Sequence, residues 1–124
     1  MRSSFFETLL KRGVPFGAGC GYVIVALCSL VPGEYRPHID GLSGKEEHAL
    51  AYLVLAVITV IAARGTLNVY RLCIILVAYA AVLELGQLFI PGRQAAVGDF
   101  MASSLGAIMG VALTTFAVRR GARI

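Results

Sequence analysis

Four long apolar stretches occupy most of a chain of only 124 residues, and they limit what it can fold into. A soluble domain this small cannot bury so much apolar surface in its own core. Hydrophobic residues make up 58% of the chain and the mean hydropathy is +0.81. The surrounding medium must itself be apolar. In hydrocarbon, backbone N–H and C=O groups must be satisfied internally, which at these span lengths means helices. The sequence therefore predicts an all-α integral membrane protein, one domain over 1–124, with spans at about 13–31, 47–63, 71–90 and 99–118. The tight connections predict an antiparallel four-helix bundle.

The ends of the spans are marked by breakers and charges. Gly13 to Val31 carries no charge and stops at Pro32-Gly33. Arg2, Lys11 and Arg12 precede it, as in a signal peptide, but the run is too long for the usual apolar region and no convincing A-x-A site follows. It reads as the first membrane helix. Phe5, Phe6, Leu9 and Leu10, just before it, suggest a short amphipathic turn on the inner surface. The second run, Ala49 to Ala63, is short, and Lys45, His48 and Arg64 can extend it by snorkelling. The third ends at Pro91-Gly92 and is interrupted by Glu84; the fourth is closed by Arg119, Arg120 and Arg123.

Basic residues set the orientation. Arg2, Lys11, Arg12, Arg64, Arg71, Arg119, Arg120 and Arg123 fall on one side, and only Arg36, Lys45 and Arg93 on the other. The positive-inside rule places both termini in the cytoplasm and the loops 32–48 and 91–99 outside. The net charge of +4 follows from this distribution and calls for no nucleic-acid partner. Cys20, Cys28 and Cys73 lack metal-binding spacing and read as small packing residues. Small residues recur every fourth position, at Gly13, Gly17 and Gly21, and again at Gly98, Ala102, Gly106 and Gly110. Such ridges predict close helix packing within the chain.

The outward ends hold a polar set. His48 and Tyr52 share a face of the second helix, with Lys45 three residues before His48. Glu84 and Gln87 share a face of the third, Asp99 and Ser103 a face of the fourth, and Arg93 stands between them. A lone charge at the centre of a bilayer costs on the order of 2.5–3.5 kcal/mol on insertion scales. Glu84 lies about two turns below Pro91, so it should be paired, protonated or facing a wet cavity. The economical arrangement turns the three stripes towards one another, with Lys45 and Arg93 as the available cations. Lys45, His48, Tyr52, Glu84, Gln87, Arg93, Asp99 and Ser103 form the candidate binding set. A network that only fixes helix register is the plainer alternative for any one of them.

These residues also carry a resemblance. "KEEHALAY", from Lys45 to Tyr52, resembles the K-x-x-H-x-x-x-Y signature of VanZ-like proteins. "ELGQLFIPGRQAAVGDF", from Glu84 to Phe100, resembles their E-x-x-Q, P-G-R and D segment, and "DFMASSLGAIMG", from Asp99 to Gly110, their closing motif. The pieces come in the family's order. Gly44 stands where the family often has Asp, and Ser103 where it usually has Asn. The resemblance implies a four-helix protein of the bacterial cytoplasmic membrane whose namesake is linked to teicoplanin resistance, with no established molecular activity.

Three functions compete. In the first, the outward pocket of a cell-envelope protein binds a lipid head group or a lipid-linked cell-wall precursor, or docks a membrane partner. Lys45 and Arg93 would engage phosphate there. In the second, a small intramembrane enzyme acts on a lipid-linked substrate with His48, Glu84 and Asp99 as catalytic acid and base candidates. No nucleophile motif supports it, and the sequence spacing of these three gives no argument for a metal. In the third, an oligomer moves protons or solutes past Glu84. The sequence calls for no cofactor.

Overall fold

The computed structural model describes residues 4, 7–63 and 65–121. Arg2, Phe5, Phe6, Arg64 and Arg123 lie outside the described residues, and so do the side chains of the expected surface turn. A π-helical turn, Leu9–Gly13, leads into α1, Val14–Leu30. Then follow α2, Gly44–Ala63, α3, Val69–Gln87, and α4, Val97–Gly121. All four are long and apolar enough to cross a bilayer, and no strand occurs among the described residues. The chain is an all-α, multi-pass membrane protein.

Local chemistry explains each boundary. Val31 is extended (φ −70°, ψ 150°) because it precedes Pro32, and α1 stops there. Ser43 and Glu46 form a capping box at the start of α2. The Ser43 N–H donates to Glu46 Oε2 at 2.7 Å, and the Glu46 N–H to Ser43 Oγ at 3.3 Å. That cap starts α2 at Gly44, three residues earlier than hydropathy suggests. The Asn68 side chain caps α3 by accepting from the Arg71 N–H at 2.8 Å. Three-residue turns over Leu88, Phe89 and Ile90 then replace the last turn expected of α3.

The buried faces follow helical spacing. They are Tyr52, Leu55 and Ala56 on α2, Leu72, Leu76 and Ala80 on α3, and Ala107 and Val111 on α4. The outer surface is apolar: Phe16, Val23 and Leu27 of α1 and Val82 and Leu85 of α3 are all more than half exposed. That is the reverse of a soluble bundle and fits a hydrocarbon solvent. Cys20 and Cys28 lie on this exposed surface and do not pack in the core, and Cys73 is only partly buried.

The closest helix pair is α2 with α4, which run in the same direction although neighbours in sequence are antiparallel. Gly106 and Gly110 make this approach possible. A Cβ on Gly106 would run into the Ala49 carbonyl, and one on Gly110 would sit 2.7 Å from the Leu53 oxygen and the Ala56 methyl. The ridge on α4 therefore packs within the chain. On α1 only Gly21 meets a neighbour, Leu55, while Gly17 faces open space. Helix α1 packs Tyr22 and Val25 on the core and is also joined to the rest by polar contacts. Tyr22 Oη and Thr59 Oγ1 are hydrogen-bonded at 2.9 Å, and the Tyr79 hydroxyl donates to the Tyr22 carbonyl. The Tyr22 and Tyr79 rings meet edge to face at 4.8 Å.

At the end of the bundle away from the chain termini the two Pro-Gly dipeptides dock on each other. The Gly33 N–H donates to the Pro91 carbonyl at 3.2 Å. Gly92 adopts φ +73°, and a Cβ on Gly33 would clash with its carbonyl.

The two glycine environments predict opposite responses to one substitution. Gly106→Ala should cost about 1–3 kcal/mol by forcing α2 and α4 apart. Gly17→Ala should be neutral or stabilise by about 0.5–1 kcal/mol through helix propensity. Unfolding of both variants in mixed micelles measures the difference.

Candidate functional site

The polar set lies at one end of the bundle, above the buried stripes. Its centre is formed by His48 of α2, Glu84 of α3 and Asp99 of α4. One ligand-capable atom from each lies within 4.8 Å of the others. The juxtaposition follows from the helix packing. His48 is one turn above buried Tyr52 on α2, and Asp99 is one turn above buried Ser103 on the face of α4 that carries Gly106. Glu84 follows buried Leu83 on α3, with Gln87, also buried, one turn beyond.

The capping box fixes how His48 is presented. With α2 starting at Gly44, His48 Nδ1 lies 2.6 Å from the Gly44 carbonyl. A carbonyl only accepts, so Nδ1 carries the proton and the neutral ring keeps its lone pair on Nε2. Glu84 Oε2 is buried without a hydrogen-bond partner, and the Ala96 N–H donates towards the same carboxylate.

The cations are placed differently from the expectation that they neutralise these acids. Arg93 Nε donates to the Val31 carbonyl at 2.9 Å, and its Nη2 donates to the Cys28 carbonyl. Arg93 thus caps the C-terminal end of α1, where unpaired carbonyls and the helix dipole favour a cation. Burial, and then Arg36, push its pKa below the ordinary guanidinium value, which still leaves it charged at neutral pH. The exposed Lys45 side chain lies over Gly98, where a methyl would meet its Cε at 2.9 Å and Nζ at 3.1 Å. Among the described residues no ion pair joins Arg93 or Lys45 to Glu84 or Asp99.

A second cluster had no signal in the local sequence. Arg36 Nη2 and Glu47 Oε2 form an ion pair at 2.8 Å. Glu47 Oε1 accepts from the Ile39 N–H and meets His38 Nδ1, both at 2.6 Å. One carboxylate thereby straps the loop onto α2. The pairing is eleven residues apart across a loop, so no helical or strand period could reveal it. His38 reads from sequence as a solvated loop residue, yet it joins Arg36, His48, Tyr52 and Arg93 in lining a cavity of about 260 Å³ between α1 and α2. Tyr35 is exposed, as expected for the loop. On the other side of the cluster, Glu84, Ala96 and Phe100 line a cavity of about 300 Å³ between α3 and α4. A larger cleft, about 990 Å³, opens at the opposite end, with Lys11, Arg71 and Arg119 among its lining residues. It has the greater volume and is lined by charged groups, Glu7 among them, but the three-residue His48, Glu84 and Asp99 cluster lies at the other end.

The family model described as VanZ/LLP1 matches residues 40–118. That stretch holds α2, α3, most of α4 and all eight residues of the polar set. No curated protein and no solved structure matches the chain.

The placement of the two cations predicts unequal costs. Arg93→Gln should destabilise by about 1.5–3 kcal/mol, the range for hydrogen bonds to charged groups. Lys45→Met should stay within about 0.5 kcal/mol of wild type, as surface changes do. Thermal unfolding in one detergent compares them directly.

Proposed function

The chain belongs to the VanZ/LLP1 family, and on that premise we propose that it is a cell-envelope protein of the bacterial cytoplasmic membrane whose outward pocket binds an anionic head group. The group belongs to a membrane lipid or to a lipid-linked cell-wall precursor. Both termini lie in the cytoplasm, in keeping with the basic residues of the inner loops and ends. Reporter fusions at Met1 and Ile124 should be active only as cytoplasmic reporters, and a fusion at Asp40 only as an external one.

The observation that carries this reading is the 260 Å³ cavity at the outer end, with Arg36 and Arg93 both in its wall and apolar Ile24 and Val25 beside them. Two guanidinium groups over an apolar floor suit a phosphate held at the top of acyl chains. Arg93 is partly committed to α1 and Arg36 to Glu47; removing Arg36 leaves the Ile39 N–H and His38 contacts of Glu47 in place, so it is the contact to remove. Native mass spectrometry of the protein released gently from its own membrane should show a defined lipid or precursor adduct that Arg36→Gln loses. No adduct on the folded wild type would sink the reading and favour a protein partner lost on extraction. A precursor adduct would further predict that overexpression lowers teicoplanin susceptibility, whereas a bulk phospholipid adduct predicts no change.

The convergence of His48, Glu84 and Asp99 favours one second reading, acid–base chemistry on a lipid-linked substrate. An imidazole with a ring nitrogen within 4.8 Å of two carboxylates has the form of a general base with its orienting acids. That reading predicts loss of substrate turnover, with the adduct kept, in His48→Gln.

A further inference from the structure

We propose that His48, Glu84 and Asp99 are ligands of a divalent metal ion at the outer end of the bundle. No local spacing in the sequence points to it, because each ligand comes from a different membrane helix. The inference rests on geometry, on hydrogen bonding and on charge, and it stands apart from the head-group reading.

The ligand atoms already lie within 4.8 Å of one another. Around a single ion with bonds of about 2.0–2.2 Å, neighbouring ligand atoms stand roughly 3–4 Å apart. Small rotations of three half-buried side chains close that gap. The histidine is also prepared for the task. Its Nδ1–H is held by the Gly44 carbonyl at 2.6 Å, so Nε2 offers its lone pair in a fixed direction. A backbone carbonyl on the far nitrogen is how a metal-binding imidazole is usually oriented.

Charge supplies the independent argument. Two carboxylates meet at the end of a bundle in a low-dielectric setting, and neither takes part in an ion pair among the described residues. Arg93 gives its Nε and one Nη2 donor to α1 and acts on the acids only at longer range, and Lys45 lies over Gly98. Glu84 Oε2 is buried with no hydrogen-bond partner. An unpaired, buried carboxylate oxygen is costly to keep, and a divalent cation would neutralise both acids at once. A purely structural network would be expected to satisfy that oxygen from within.

The donor set narrows the ion. One imidazole nitrogen with carboxylate oxygens and no thiolate suits zinc, manganese or ferrous iron. Calcium asks for more oxygen ligands, and magnesium prefers to keep its waters. Only three side chains converge, so the ion would retain open positions. His48 lines the cavity on one side of the cluster and Glu84 the cavity on the other, so those positions are reachable from both.

The test is metal binding by the full chain in nanodiscs of phosphatidylcholine, after stripping with EDTA. Zn²⁺, Mn²⁺ and Co²⁺ are added separately, bound metal is measured by mass spectrometry, and the Co²⁺ absorption spectrum is recorded. The expected result is about one ion per chain on wild type. Affinity should fall by more than about 100-fold in His48→Gln, Glu84→Gln and Asp99→Asn, beyond the 10–100-fold typical of losing an outer-shell partner. Glu34→Gln, which removes the same charge from an exposed loop position, should bind as wild type does. Metal should raise the unfolding temperature of wild type and of Glu34→Gln only. Folded wild type that takes up no ion would overturn the proposal. Equal affinity in the ligand variants and in Glu34→Gln would overturn it as well. Should those variants fail to fold, the wild-type His48 Nε2 resonance decides: it must shift on adding Zn²⁺, and an unchanged resonance rejects the site.

Discussion

The rest of the structure depends on the contact between the backbones of α2 and α4. Lipid tails are as apolar as leucine, so burying leucine between membrane helices gains little. Helices associate where their surfaces let them come close. Gly106 opposite the Ala49 carbonyl, and Gly110 opposite Leu53 and Ala56, provide that closeness. The contact also fixes register. Once these positions are set, His48, the residue next to Ala49 on α2, and Asp99, two turns before Gly106 on α4, converge on one cluster. Helix α3 then brings Glu84 to the same cluster from the opposite chain direction. A shift of one turn along this seam would separate the three groups by about 5.4 Å.

Much of this was legible in the sequence, and the reason differs from part to part. The four spans follow from hydropathy and length, because the bilayer imposes both. The polar stripes could be placed on shared helix faces because His48 and Tyr52, or Asp99 and Ser103, are one turn apart. Their place near the span ends followed from the Pro-Gly breaks. The α4 ridge was visible as a four-residue repeat, but its partner was not, since nothing local says that α2 and not α3 receives it. The loop from 32 to 43 was the least legible. Its order comes from Glu47 reaching Arg36, His38 and the Ile39 N–H at once, and such pairings have no period. The Arg93 contact with α1 was hidden for a related reason. Charge counting sends it to the nearest acids, whereas the carbonyls left open at the end of α1 are nearer and cannot be satisfied by lipid.

The two kinds of chemistry at this end of the bundle are spatially sorted. Arg36, Arg93 and Glu47 line the cavity beside α1. The two carboxylates and the imidazole lie inward, between helices. His48 belongs to both, since it lines that cavity as well and lies beside the acids. Whatever occupies one side is therefore felt by the other through a single ring, whose orientation is set by the first turn of α2.

Helix α1 is held in part through its main chain. Arg93 bonds the Cys28 and Val31 carbonyls, Tyr79 bonds the Tyr22 carbonyl, and Gly33 is docked through its own N–H. Main-chain groups are the same in every residue type. The residues that only lend a carbonyl, Cys28 and Val31, can therefore change their side chains without losing these bonds, whereas Ala18, which is buried, and Tyr22 and Val25, which pack on the core, are held by their shapes. The helix is thus anchored by two kinds of contact, and only one of them is written in its side chains.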